Sequence, residues 1–271
     1  MSKQLKILFL GDVVGRPGRL GVRKFLDDNT QNYDFIIVNV ENASHGYGLT
    51  QKNYNELSSY GIHAMTGGNH IWDRKVIFDY INEADKLIRP LNFPEGTPGV
   101  GSRIFKINEH ISIGVINILG VIFMQPIIPP WEPLKQEILK LKSKTNVIII
   151  DCHAEATAEK ISCGYIAART GASAVIGTHT HVQTVDEMIM ENSTAYISDA
   201  GFCGSHKSII GMEIEGSVER LVSMLPGRLE IGPMPSVQVN GVELFIDSES
   251  GHAQAIKRIN VVMNLSDEVN E

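Results

Sequence analysis

Two histidines, His179 and His181, stand two residues apart in Gly177-Thr178-His179-Thr180-His181, directly after the apolar run 172–176. Where a strand ends, that spacing lets both rings point to one side, and neutral imidazole is the commonest side-chain ligand for a transition metal. A single histidine at a strand end is ordinarily structural. The pair reads as metal-binding because the chain repeats the arrangement: Asp12 follows one apolar run, Glu41 and Asn42 a second, Asn69 and His70 a third, His153 a fourth. Mixed nitrogen and oxygen donors suit Fe, Mn, Zn or Co, rather than Mg alone or a thiolate site. They are too many for one tetrahedral ion, so two ions are expected. A carboxylate such as Glu41 can bridge ions ~3.5–4 Å apart, the separation typical of two-metal hydrolases.

The elements that must position these residues are legible as apolar runs. Residues 5–10, 34–40 and 146–150 are nearly continuous hydrophobic stretches and read as strands covered on both faces. A short strand is expected over 61–65, with His63 in the core or at an edge. Open α/β sheets place their sites at strand carboxyl ends, where all five clusters fall. Gly11-Asp12-Val13-Val14-Gly15-Arg16-Pro17-Gly18 fits neither GxGxxG nor a GK[ST] loop, so a dinucleotide or P-loop reading is rejected, and Asp12 is either a site carboxylate or a helix cap. Helices are expected over 19–29, 50–60 (capped by Thr50), from about Asp73, and over 132–142, 155–170 and 214–224. Residues 103–107 and 111–118 suggest a hairpin, and 183–190 with 194–198 an antiparallel pair. Residues 228–262 alternate and should close a second sheet. Residues 90–103, rich in Pro and Gly, form a loop, and the apolar, Pro-rich stretch 119–131 is a rim or a subunit contact.

The chain has 271 residues, 43% hydrophobic and 20% charged, enough for a large core. With no repeat, low-complexity segment or linker, one domain over 1–271 is expected. A net charge of −7 argues against extended nucleic acid, although a metal could supply local positive charge for a short nucleotide. Three cysteines with no CxxC pair point away from zinc ribbons and disulfide frameworks and toward a reducing cytoplasm. No signal peptide or membrane-spanning run is evident.

Gly11-Asp12, Asn39-Val40-Glu41-Asn42, Gly68-Asn69-His70, His153-Ala154-Glu155 and Gly177-Thr178-His179-Thr180-His181 resemble the five motifs of the calcineurin-like metallophosphoesterase superfamily, in the same order. Gly68-Asn69-His70-Ile71-Trp72-Asp73, Asn92-Phe93-Pro94-Glu95-Gly96-Thr97-Pro98-Gly99 and His153-Ala154-Glu155-Ala156-Thr157 are closer still to its bacterial YmdB-like branch, over nearly the whole chain. Most superfamily members have Asp-x-His in the first motif. Val14 stands where that His would be and cannot bind metal, a loss the branch shares, using the Asn after the bridging Glu instead. The resemblance implies an α/β/β/α sandwich of two stacked sheets. It implies that Asp12, Asn42 and His181 hold one ion and Asn69, His153 and His179 the other, with Glu41 between them, iron first and Mn or Zn as alternatives. It implies His70 as the general acid of a phosphodiesterase acting on 2′,3′- or 3′,5′-cyclic nucleotides, with RNA ends as a related substrate.

The chemistry agrees: cations neutralise a diester's charge and acidify water, and the departing alkoxide needs a proton that His70 could give. The alternatives are a metal- or nucleotide-binding regulatory protein with vestigial catalysis, and another metal hydrolase such as an amidohydrolase. Asp73 reads as a cap, and Glu155 as a helix start rather than a partner to a metal-binding His. His45, His110, His206, His252, Arg16 and Arg169 read as surface residues, and the cysteines as small core residues.

Overall fold

The apolar runs become the middle strands of two sheets. The protein is described here from a computed structural model covering residues 3–234 and 236–265. The chain lays down β1 (Gln4–Leu10), β2 (Asp12–Val13), β3 (Phe35–Asn39), β4 (Ala64–Thr66) and β5 (Leu87–Ile88). It then builds β6 (Ser102–Lys106), β7 (Ser112–Leu119), β8 (Val147–His153), β9 (Ala174–Thr178), β10 (Met188–Met190) and β11 (Thr194–Ile197). Finally it returns through β12 (Phe202–Ser205), β13 (Ser236–Asp247) and β14 (Ala253–Asn264). The first sheet runs β2-β12-β13-β1-β3-β4-β5, with β14 on β13, and the second β10-β11-β9-β8-β7-β6. The helices are α1 (Gly15–Asn29), α2 (Gln51–Ser58), α3 (Trp131–Lys142), α4 (Thr157–Thr170) and α5 (Ile214–Ser223).

Burial on both faces explains why these strands lack alternation. Along β1, Leu5, Ile7 and Phe9 face the second sheet, where Ile113, Val115, Val147, Ile149 and Ile176 meet them. Leu8 and Leu10 point the other way, onto Val22, Phe25 and Leu26 of α1 and Leu57 of α2. The outer face of the second sheet is covered in the same way by Leu134 and Ile138 of α3 and Cys163 and Ala167 of α4. The layers are therefore helix, sheet, sheet, helix, as expected.

Several local expectations fail, each for an identifiable reason. Helix α1 starts at Gly15 rather than near residue 19, because Pro17 is tolerated in a first turn that needs no N–H from it. Residues 228–262 do not close the second sheet. Instead β13 enters the first, pairing antiparallel with β1 from Gln4↔Asp247 to Leu10↔Gly241. Alternation reports one exposed face, which β14 has, but not which sheet a strand joins. Strand β12 falls where no element was expected, and residues 183–187 precede rather than form β10. Beyond Asp73 there is only a short 3₁₀ segment, Lys75–Asp79, since Asp73 is drawn to His70 and Arg74 to the carbonyls of Ser44 and Tyr47. Thr50 caps α2 as expected, accepting from Asn53 N.

The Pro/Gly loop after β5 is organised by Arg89, which is nearly buried and donates to the carbonyls of Pro90, Leu91, Thr97 and Pro98. Asn92 ties it to the 119–131 stretch through the carbonyls of Leu119 and Ile128. Strands β1, β3 and β4 are parallel to one another, as are β8 and β9, so each set delivers its carboxyl ends to one edge. No helix of the described residues is long and apolar enough to cross a membrane.

Candidate metal centre

All eight expected site residues lie at that edge. Asp12, Glu41 and His153 are fully buried, Asn42 and His181 nearly so. Glu41, His153 and His179 offer ligand atoms within 4.8 Å of one another. Asn69 joins them, with Oδ1 2.9 Å from His153 Nε2. The other half forms around Asn42, whose Nδ2 is 3.0 Å from Glu41 Oε1 and 3.2 Å from His181 Nε2, while His181 Nε2 is 3.8 Å from Asp12 Oδ1. Asp12 is not a helix cap: the residue before α1 is Val14, and Asp12 Oδ2 accepts from His179 N instead.

Each imidazole is fixed by what its far nitrogen touches. Thr178 has one hydroxyl proton and gives it to Asp151 Oδ1 at 2.6 Å. Its oxygen, 2.9 Å from His153 Nδ1, must then accept, so Nδ1 carries the hydrogen and Nε2 turns a lone pair to the cluster. His181 Nδ1 meets the Ile210 carbonyl at 2.9 Å, which can only accept, and Nε2 is again left inward. For His179, Glu155 Oε2 lies 3.1 Å from Nε2, and Nδ1 faces His153 Nε2 at 3.1 Å. Two imidazole lone pairs at that distance repel each other unless a cation or a proton lies between them.

The charges make the same demand. Burial opposes ionisation of Glu41, yet His153 and His70 override it and hold the carboxyl at about 2. Burial likewise opposes charge on His153, but Glu41, Asp12 and Asp151 outweigh it and lift the ring to about 9. His179, desolvated and facing His153, falls to about 3. In the metal-free protein a proton on His153 thus answers a negative field that a metal ion would answer more fully. Two buried oxygens, Asp12 Oδ1 and Asn42 Oδ1, have no hydrogen-bond partner. The backbone also leaves room: a Cβ on Gly68 would lie 2.1 Å from Glu41 Oε2 and 2.5 Å from His153 Nε2. The donor set, its fixed lone pairs and its orphaned oxygens fit a metal centre.

A cavity of about 560 Å³ opens over the cluster. Its floor includes Glu41, Asn42, His179 and His181, its far wall Met212, Leu221 and Leu229, and His70 stands at its side. His70 N donates to Glu41 Oε2, and Nδ1 lies 2.9 Å from Asp73 Oδ2, so Nε2 is the nitrogen available for proton transfer. The Tyr47 ring meets His70 edge-on at 5.0 Å.

Two sequence readings are corrected here. Asp73 is not a cap but the partner of His70. Glu155 does not start α4, which begins at Thr157; it partners His179. Sequence reasoning also passed over Asp151 and Thr178, which orient His153, and Arg220, which lines the cavity. An acidic residue two positions before a metal-type His in the same strand was the available signal for Asp151. Arg220 had none, because its helix is remote in sequence from every cluster. His63 accepts from Ile36 N and stacks on Phe35, Arg169 pairs with Glu191, and the three cysteines are buried and free, as expected.

A family model described as YmdB-like protein matches residues 8–259. A Bacillus subtilis (strain 168) protein named 2′,3′-cyclic-nucleotide 2′-phosphodiesterase is 43% identical over 257 residues, 94% of this chain and 96% of that one. The crystal structure of a Mycoplasma pneumoniae protein described as a novel phosphatase superposes with a TM-score of 0.90 at 32% identity, over 100% of this chain and 98% of the other. The crystal structure of a hypothetical protein from Thermus thermophilus does so with 0.87 at 34% identity, over 95% and 99%. The match takes in all five strand-end clusters and extends almost from end to end, so the chain belongs to the YmdB-like family.

Proposed function

We propose that this phosphodiesterase opens 2′,3′-cyclic nucleotides at a two-metal centre, with 3′,5′-cyclic nucleotides as a second class of substrate. The observation that carries the reading is the set of inward lone pairs and orphaned oxygens beneath the cavity, with a histidine beside it whose Nδ1 is held by Asp73. Asn69, His153 and His179 would hold one ion, Asp12, Asn42 and His181 the other, and Glu41 would stand between them. For Asn42 this requires only that the amide present oxygen where it now presents nitrogen, an assignment that rests on the surrounding network. Iron comes first for these donors, with Mn or Zn as alternatives. Such ions, when bound, neutralise a diester's charged oxygens and acidify water enough for attack near neutral pH.

The remaining work falls to side chains. Breaking the bond from phosphorus to O2′ leaves an alkoxide, which is a poor leaving group until protonated. His70 gives it a proton from Nε2, and Asp73 on Nδ1 keeps the ring turned for the transfer. Thr178 with Asp151, Glu155 and the Ile210 carbonyl keep three imidazoles aimed at the centre. The apolar far wall faces the nucleoside. RNA carrying a 2′,3′-cyclic end presents the same group. Three free, buried cysteines support a cytoplasmic setting, and Phe123, 89% exposed beside Ile122, supports self-association through 119–131.

The test is hydrolysis of 2′,3′-cyclic AMP and 3′,5′-cyclic AMP by protein loaded in turn with Fe²⁺, Mn²⁺ and Zn²⁺, with the products identified by phosphorus NMR. The proposal expects 3′-AMP from the first substrate. Metal-loaded protein that turns over neither nucleotide would refute it.

A further inference from the structure

His179 and His181 do not diverge by strand alternation. Strand β9 ends at Thr178, and the two histidines take φ angles of 101° and 64°, in the left-handed region that side-chain-bearing residues rarely adopt. Thr180 between them is where the turn is held. Its backbone N–H and its hydroxyl both donate to Asp199 Oδ2, at 3.0 and 2.8 Å. The same oxygen takes a third donor, Lys160 Nζ, at 2.7 Å, and Asp199 Oδ1 accepts from Gly201 N at 2.8 Å. Asp199 and Lys160 are almost wholly buried, 1% and 2% exposed. Neither contributes to the ligand set or to the cavity wall.

The chain is shaped to bring this carboxylate in. The Ser198 carbonyl runs so close to β9 that a Cβ on Gly177 would lie 1.8 Å from it, and Ala200 N donates to the Gly177 carbonyl at 2.8 Å. Lys160 reaches the same point from α4, its stem against Gly177. A buried ammonium and a buried carboxylate are worth keeping together only where both are satisfied, and here Asp199 Oδ2 joins the Lys160 ammonium to both donors of Thr180.

We infer that Asp199, neutralised by Lys160, is a positioning residue that grips Thr180 and thereby splits the two histidines between the two halves of the centre. The inference rests on the metal reading above and not on the substrate. With Thr180 held, His179 Nδ1 is directed to His153 and Glu41, while His181 Nε2 is directed to Asn42 and Asp12. Lys160 has a second effect. It occupies Asp199, so this carboxylate does not swing toward the metals as a competing ligand.

The experiment follows metal rather than turnover. Full-length protein loaded with Mn²⁺ is titrated with a chelator, and the variants Thr180→Val and Thr180→Ser are compared. Valine matches threonine in shape and loses only the hydroxyl bond, whereas serine keeps it. Thr180 is half-buried at the cavity edge, so neither change threatens the fold. The Thr180→Val protein is expected to lose Mn²⁺ about tenfold more readily, and Thr180→Ser to match the wild type. Lys160→Met, which leaves Asp199 without its counter-charge, is expected to lose it up to about a hundredfold more readily. If Thr180→Val and Thr180→Ser hold Mn²⁺ alike, Lys160 and Asp199 only brace the fold and the inference falls, whatever Lys160→Met does. A wild type that takes up no Mn²⁺ would sink the metal reading and the clamp with it. Tight Mn²⁺ without turnover would count against the substrate reading alone.

Discussion

At the scale of single residues, the division of labour between Asn69 and His70 is the sharpest feature. Adjacent in sequence, one turns its oxygen to His153 and the other stands beside the cavity on Asp73. If His70 protonates the leaving group, its loss should matter in proportion to how badly that group needs a proton. His70→Ala is expected to slow 2′,3′-cyclic AMP hydrolysis by roughly 10²–10⁴-fold, the usual worth of a general acid. Hydrolysis of bis-p-nitrophenyl phosphate, whose leaving group is stable as an anion, should slow far less. Equal losses on both substrates would remove His70 from the acid role. Asp73→Asn should follow the same pattern more weakly, because it disturbs only the ring's orientation. Gly68 makes a steric prediction. Its missing Cβ is the space in which Glu41 Oε2 and His153 Nε2 sit, so Gly68→Ala should abolish metal retention, measured by metal analysis after desalting.

At the scale of elements, the strands were readable because burial on two faces leaves an unbroken apolar signature, as along 5–10 and 146–150. The clusters were readable because polar residues that interrupt such a signature at a strand end are conspicuous: Asp12, Glu41 and His153 were all identified this way. What escaped depends on contacts between remote segments. Nothing near residue 240 says that β13 will join β1. Nothing near Asp73 says that its carboxylate will be taken by His70 instead of capping the start of a helix. His179 and His181 do reach the cluster, but the strand-end spacing gives an incomplete reason, since their directions come from a left-handed turn rather than from strand alternation. Where the signal was local, it predicts local energetics. Thr50→Ala removes the one side-chain cap of α2 and should cost about 1 kcal/mol, read from denaturant unfolding, with turnover unchanged.

At the scale of the whole molecule, the candidate metal centre is a joint. Its proposed ligands lie at or just past the ends of β1, β3 and β4 in one sheet and β8 and β9 in the other, so bound metal should fasten the two layers together. With free metal at a thousand times its Kd, linkage stabilises the fold by ~4 kcal/mol, and chelation should then lower Tm by ~10 °C. Without metal, pH takes over part of this role. The folded pKa of His153 is raised to about 9, above an unfolded value near 6.5. Its contribution is therefore complete below about pH 6.5 and lost as pH rises through about 9. Unfolding of the metal-stripped protein should become easier across that window, and metal-loaded protein should not share the slope.

The central claim is that the strand-end cluster is a two-metal phosphodiester-cleaving site organised by Glu41. It is tested most directly by adding metal back to stripped protein while recording bound ions and turnover of 2′,3′-cyclic AMP together, for the wild type and for Glu41→Gln. The account predicts turnover that rises as two ions per chain are taken up, and a Glu41→Gln protein that loses both tight binding and activity. Wild-type turnover that persists without metal, or a Glu41→Gln protein that binds and cleaves like the wild type, would contradict it.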